Sequence, residues 1–229
     1  MRQNHLGQWA IAFAVMVVAV FIAYQFLDRP IAFYSAAHFA KKPWFDGLTQ
    51  IPEYLSRIAV GVFVIAGIFA LIGRPLPHCL AVALASSVSL VAASSIKDAL
   101  KFAFGRNWPE TWVQNNPSLI RDNAYGFNFF HGGQGYASFP SGHTTATCAV
   151  MAVLWLCCPR LRPLYALIVA AVVIGLIGAD YHFLSDIISG GFLGWLAGWV
   201  TLQLWGGRAR VTGPPDTLAN PDQSGVAPR

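Results

Sequence analysis

Three separated clusters hold the residues of this chain whose types and spacing could do chemistry. The first is Phe139-Pro140-Ser141-Gly142-His143-Thr144-Thr145. Proline fixes the entry of the chain, serine can cap a helix, and glycine lets a ligand approach the backbone. A helix starting there aims its free N–H groups and dipole at an anion, with His143 one residue inside. That pattern suits a phosphate pocket with a proton donor; it also suits an ordinary capped turn. The second cluster runs from Asp180 to Asp186 and places His182 four residues before Asp186. On a helix the pair would share a face. An aspartate holding one ring nitrogen leaves the other as a nucleophile or base; alternatively the segment is a helix cap beside an interfacial histidine. The third is Lys97, Asp98 and Lys101, followed by Arg106. Lys97 and Lys101 stand one helical turn apart and either face a wet cavity or snorkel from a helix end.

The elements that carry these clusters belong to a membrane. Of the 229 residues 55% are hydrophobic and only 11% charged, and the mean hydropathy is +0.51. A soluble domain carries about 25% charged residues. The net charge of +5 forms no basic stripe interleaved with aromatics, so no nucleic-acid partner is expected. The four cysteines have neither zinc-ligand spacing nor a disulfide framework and read as buried free thiols. Six stretches lack Asp, Glu, Lys and Arg: residues 9–27, 58–73, 79–96, 144–158, 164–179 and 187–207. With snorkelling flanks each approaches the roughly 20 residues that a bilayer core needs, which predicts six transmembrane helices. The first stretch is longer than a signal-peptide core of about 7–15 residues and is expected to be retained.

Between the spans, Lys41-Lys42-Pro43-Trp44-Phe45 reads as an interfacial anchor, with a short amphipathic helix on the membrane. The loop from Gly105 to Ser138 contains Arg121 and His131, and its aromatics and glycines argue for an ordered cover rather than disorder. Residues 74–78 and 159–163 are short and basic, which makes their face, with both termini, cytoplasmic. The chain then divides into residues 1–57 (first span and interfacial segment), 58–206 (core) and 207–229, a tail expected to be disordered from about Thr212. Gly190, Gly194 and Gly198 fall on one face of the last span, a spacing for close helix packing. Alternating spans bring Lys101, Arg106, His143, His182 and Asp186 to the same membrane face.

These residues resemble the type 2 phosphatidic acid phosphatase (PAP2) superfamily, whose relatives include vanadium haloperoxidases. The family pattern is K-x6-R-P, then P-S-G-H, then S-R-x5-H-x3-D. The second motif is complete as Pro140-Ser141-Gly142-His143, the third keeps His182 and Asp186, and the first keeps Lys101 and Pro109. The chain departs from the pattern in two places: Trp108 replaces the first arginine, and Gly175-Leu176 replaces the serine–arginine pair. In the family both arginines clamp phosphate, which makes Arg106, or Arg121 in the loop, the candidate substitute.

The resemblance implies an all-α, six-helix membrane bundle that hydrolyses a lipid phosphate at the outer, periplasmic face of a bacterial inner membrane. It implies His182 as nucleophile, Asp186 holding its ring, and His143 as acid. Lys101, Arg106 and the N–H groups near Ser141 and Gly142 would bind the phosphate. No cofactor is implied, and no Asp/Glu cluster offers to hold a metal. The alternatives are a lipid-to-lipid phosphotransferase and a non-catalytic protein that binds lipid phosphate.

Overall fold

The computed structural model describes residues 5–39, 42–112 and 115–211, so the expected disorder of the tail from Thr212 and the contribution of Lys41 to an anchor lie outside the described residues. The described residues form helices and loops, with no strand. Helix α1 (His5–Ile22) passes through one π-helical turn (Ala23–Leu27) into α2 (Asp28–His38). Then come α3 (Pro43–Thr49), α4 (Ile51–Leu71), α5 (His78–Phe104), the single turn α6 (Leu119–Asp122), α7 (Gly142–Cys157), α8 (Arg162–Gly178) and α9 (Leu184–Val211).

Among the described residues, five helical stretches are long and apolar enough to cross a membrane: His5–His38, Pro43–Leu71, His78–Phe104, Pro159–Gly178 and Leu184–Gly206. The sixth predicted span is α7, an apolar helix of 16 residues. At 1.5 Å per residue it is about 24 Å long, short of the roughly 30 Å hydrocarbon core. Its position explains its length. Every residue from Thr144 to Val153 is buried, because α4, α5, α8 and α9 all pack around it.

Close approach of α7 and α9 needs small residues. A Cβ on Gly194 would stand 2.4 Å from the Thr145 carbonyl oxygen, and one on Gly198 would stand 2.6 Å from the Ala152 Cβ. Helix α1 reaches the bundle through α9, with Trp9 set 5.2 Å from Trp199 and 5.9 Å from Phe192. Its large residues Ile11, Phe13, Val15 and Phe21 stay exposed, as a lipid-facing helix requires.

The segment expected to anchor at the membrane surface packs onto the bundle, with Trp44 left exposed. Proline starts α3, and Phe45 and Thr49 are buried against α8. A Cβ on Gly178 would fall 2.2 Å from the Phe45 ring. The loop from Gly105 to Ser138 is folded too. Arg106 makes isolated bridges to Phe127 and Ala137, and Trp108 makes one to Ser118.

Replacing Gly194 with alanine is expected to lower the melting temperature in detergent, with an overpacking cost of about 1–3 kcal/mol. Gly61→Ala, whose added Cβ meets nothing within 4 Å, is expected to be neutral or slightly stabilising. Equal melting curves for the two variants would refute the tight α7–α9 contact.

Candidate active site

The end of α5, the start of α7 and the start of α9 meet at one end of the bundle. Ser141 caps α7: its Oγ accepts from the Thr144 N–H at 3.4 Å. Its own N–H donates to the Asp186 carbonyl at 3.0 Å, which ties α7 to α9. That N–H is therefore spent on the fold. Gly142 is the residue that lines the cavity, and a Cβ there would stand 3.2 Å from Lys97 Cδ and 3.9 Å from Lys101 Cε. Both lysines thus lie over the positive end of α7, a place suited to an anion.

The cavity has a volume of about 320 Å³. Its lining includes Lys97, Lys101, Trp108, Gly142, His143 and His182, together with Thr49 of α3, Gln50, and Glu53 and Ser56 of α4. A second cavity of about 450 Å³ adjoins it, sharing Lys97 and Lys101 and bounded by the loop residues Gly132 to Gln134. The rings of His143 and His182 lie 5.7 Å apart. Lys101 donates to the Ala137 carbonyl and sits 5.4 Å from the Trp108 ring.

His182 is not on the helix that carries Asp186. It precedes α9 by two residues, and the turn is closed by the Phe183 N–H donating to Asp186 Oδ2 at 3.1 Å. His182 Nδ1 stands 3.5 Å from both Asp186 Oδ2 and Ser138 Oγ, a distance at which contact is electrostatic rather than a close hydrogen bond. Ser138 donates to Asp186 at 2.6 Å. Burial pulls the pKa of His182 below the ordinary histidine value, against the opposing pull of Asp186. Burial also pushes Asp180, the neighbour of His182, up to about 8, helped by the charge of Glu110.

Neither candidate arginine lines the cavity, which corrects the expectation that one of them replaces the missing clamp. Arg106 is fully buried behind His182. It pairs with Asp186 and, at 2.7 Å, with Asp28 of α2, and donates to Ser185 at 2.6 Å. The rings of Tyr24, Tyr125, Phe127 and Phe183 surround its guanidinium at 4.4–5.4 Å. Burial disfavours its charge, but Asp186 and Asp28 outweigh that and raise its pKa. Arg121 is turned to Asp122, at 2.9 Å, and to Asn115. Among the described residues no group of three or more His, Cys, Asp or Glu side chains gathers to hold a metal.

Residues 76–210, more than half of the chain, match the PAP2 superfamily. The chain belongs to that family. Its fold is similar to the crystal structure titled as the first transmembrane PAP2 type phosphatidylglycerolphosphate phosphatase from Bacillus subtilis. The TM-score is 0.54 at 19% identity, over 87% of this chain and 95% of that one. No curated protein matches the sequence significantly. In the two places where this PAP2 chain departs from the family pattern, the structure has apolar contacts. Trp108 walls the cavity, its ring 5.1 Å from His182 and its indole N–H donating to the Gln134 carbonyl at 2.8 Å. Leu176 is fully buried between Val172 and Ile187.

Thr49, Gln50, Glu53, Asp28 and Ser138 were not legible as site residues. Only Glu53 and Asp28 carried a signal, as acids beside apolar spans. Arg106→Ala would leave Asp28 and Asp186 facing each other without a cation and is expected to cost about 3–5 kcal/mol of stability. Melting in detergent measures it, with Arg121→Ala, an exposed pair, expected to leave the curve unchanged. Unchanged melting for both variants would contradict the buried pairing.

Proposed function

We propose that the protein is a lipid phosphate phosphatase that works through a phosphohistidine on His182. The observation that carries this is the cavity itself: two histidine rings 5.7 Å apart beside two lysines and the start of α7. His182 Nδ1 is turned toward Asp186 and Ser138, which leaves Nε2 as the attacking nitrogen. Its lone pair forms the bond to phosphorus while the bond from phosphorus to the lipid oxygen breaks. His143 supplies the proton that the leaving oxygen takes. Water then attacks the phosphohistidine, His143 recovers a proton from it, and inorganic phosphate leaves. Lys101, Lys97 and the Gly142 end of α7 neutralise the equatorial oxygens, where phosphoryl transfer gains most of its acceleration. Lysines give charge without the bidentate fork of arginine, so orientation relies more on the walls of the cavity.

The substrate is a phosphorylated lipid, of which phosphatidylglycerol phosphate and phosphatidate are the first to assay. The basic loops carrying Arg74, Arg160 and Arg162 lie at the opposite end of the bundle from the cavity. With that end in the cytoplasm the cavity opens to the outer face.

His182→Ala is expected to abolish phosphate release from detergent-solubilised protein while membrane insertion is retained; turnover within a few-fold of wild type would exclude His182 as nucleophile. The nucleophile must be unprotonated, and burial lowers its pKa, so the ring stays available as pH falls through 6.5. The acid limb of kcat/KM is accordingly expected below pH 6.5. A limb above that value would contradict this environment for His182.

A further inference from the structure

We infer that Asp28, on the N-terminal helix outside the family-matched region, is a positioning residue of this site. It holds Arg106 and, through it, sets Asp186 and His182. The inference rests on the reading of His182 as the nucleophile.

Both oxygens of Asp28 are engaged, and its side chain has no exposed surface. Oδ1 accepts from the Ser185 N–H at 2.9 Å, in the first turn of α9, where a carboxylate is favoured by the helix dipole. Oδ2 accepts from Arg106 Nη2 at 2.7 Å and from the Ser185 hydroxyl, with the Tyr125 hydroxyl 3.2 Å away. The other guanidinium nitrogen, Nη1, reaches Asp186 Oδ1. Asp186 uses its second oxygen for Ser138, Phe183 and His182. One chain of contacts therefore runs from α2 through Arg106 to the nucleophile. The π-helical turn that ends at Leu27 immediately precedes Asp28.

Charge adds to geometry. Asp28, Arg106 and Asp186 together carry one net negative charge. His182 is neutral before attack and, with Nδ1 protonated, gains a positive charge as Nε2 bonds phosphorus. The four groups then sum to zero. Without Asp28, Arg106 and Asp186 cancel each other, and the cationic ring is left uncompensated in a buried place. Asp28 therefore favours the phosphorylated state over the resting one.

The test compares wild type, His182→Ala, Asp28→Asn and the double variant Asp28→Asn/Arg106→Gln. Phosphate release, melting temperature, and inhibition by vanadate and by inorganic phosphate are measured on the full chain in detergent. Asp28→Asn is expected to lower kcat roughly 10- to 100-fold, with KM within about two-fold. Vanadate, which mimics the five-coordinate state, is expected to bind more weakly in proportion, and inorganic phosphate to bind unchanged. In the double variant Asp186 is the one remaining buried charge of the three, so the balance with the cationic ring is kept while the chain of contacts from α2 is lost, and it tests positioning alone if the single variant does not fold. It is expected to melt below wild type, because Asp186 has lost its cation, and to stay slow per folded molecule. Wild-type kcat per folded molecule in either variant overturns the role of Asp28 while leaving His182 in place. Phosphate release by wild type that survives His182→Ala overturns the proposed mechanism, and this inference with it.

Discussion

A guanidinium with no exposed surface stands between two carboxylates from opposite ends of the chain. Removing such a cation from water costs several kcal/mol, and only near-complete pairing offsets it. Here Asp28, Asp186 and Ser185 supply the partners, and four aromatic rings supply the walls. Arg106 Nε has no partner among the described residues, so the compensation comes from the two terminal nitrogens. The arrangement joins α2, the loop after α5 and the start of α9 at one point. The segment that carries His182 is set by this junction.

Around it, the bundle is organised by how closely α7 is enclosed. Its length matters less than its small residues, because threonines, alanines and the facing glycines of α9 let backbones meet. That closeness brings the Ser141 N–H to the Asp186 carbonyl. The start of α7 and the turn that carries His182 into α9 are therefore held in register by a backbone hydrogen bond. Tight packing and the spacing of the candidate catalytic groups are one constraint.

The electrostatics of the cavity divide by position. The cations that face the open space are lysines, and Arg106 is withdrawn behind His182. Aspartate 180, the acid beside His182, has its charge suppressed by burial. Lys97 and Lys101 make the wall beside the start of α7 positive, with Glu53 on the same cavity and Asp98 2.7 Å from Lys97, while the Asp186 carboxylate sits beneath the imidazole.

Much was legible in the chain itself. Apolar runs separated by basic turns determine a helical membrane bundle, because lipid leaves the backbone no partner but its own helix. The Pro-Ser-Gly-His segment determines a capped helix start, since each residue acts through local geometry. The convergence of Lys101, His143, His182 and Asp186 followed from counting spans. The destination of Arg106 did not follow. Two residues from the missing clamp it reads as a replacement, yet its side chain turns inward to Asp28, a partner 78 residues away. The same holds for Thr49, Gln50 and Glu53, which reach the cavity because α3 packs on α8. Local chemistry is encoded by neighbours in sequence. Which face a charged side chain takes is decided by long-range pairing, and only the folded bundle determines that.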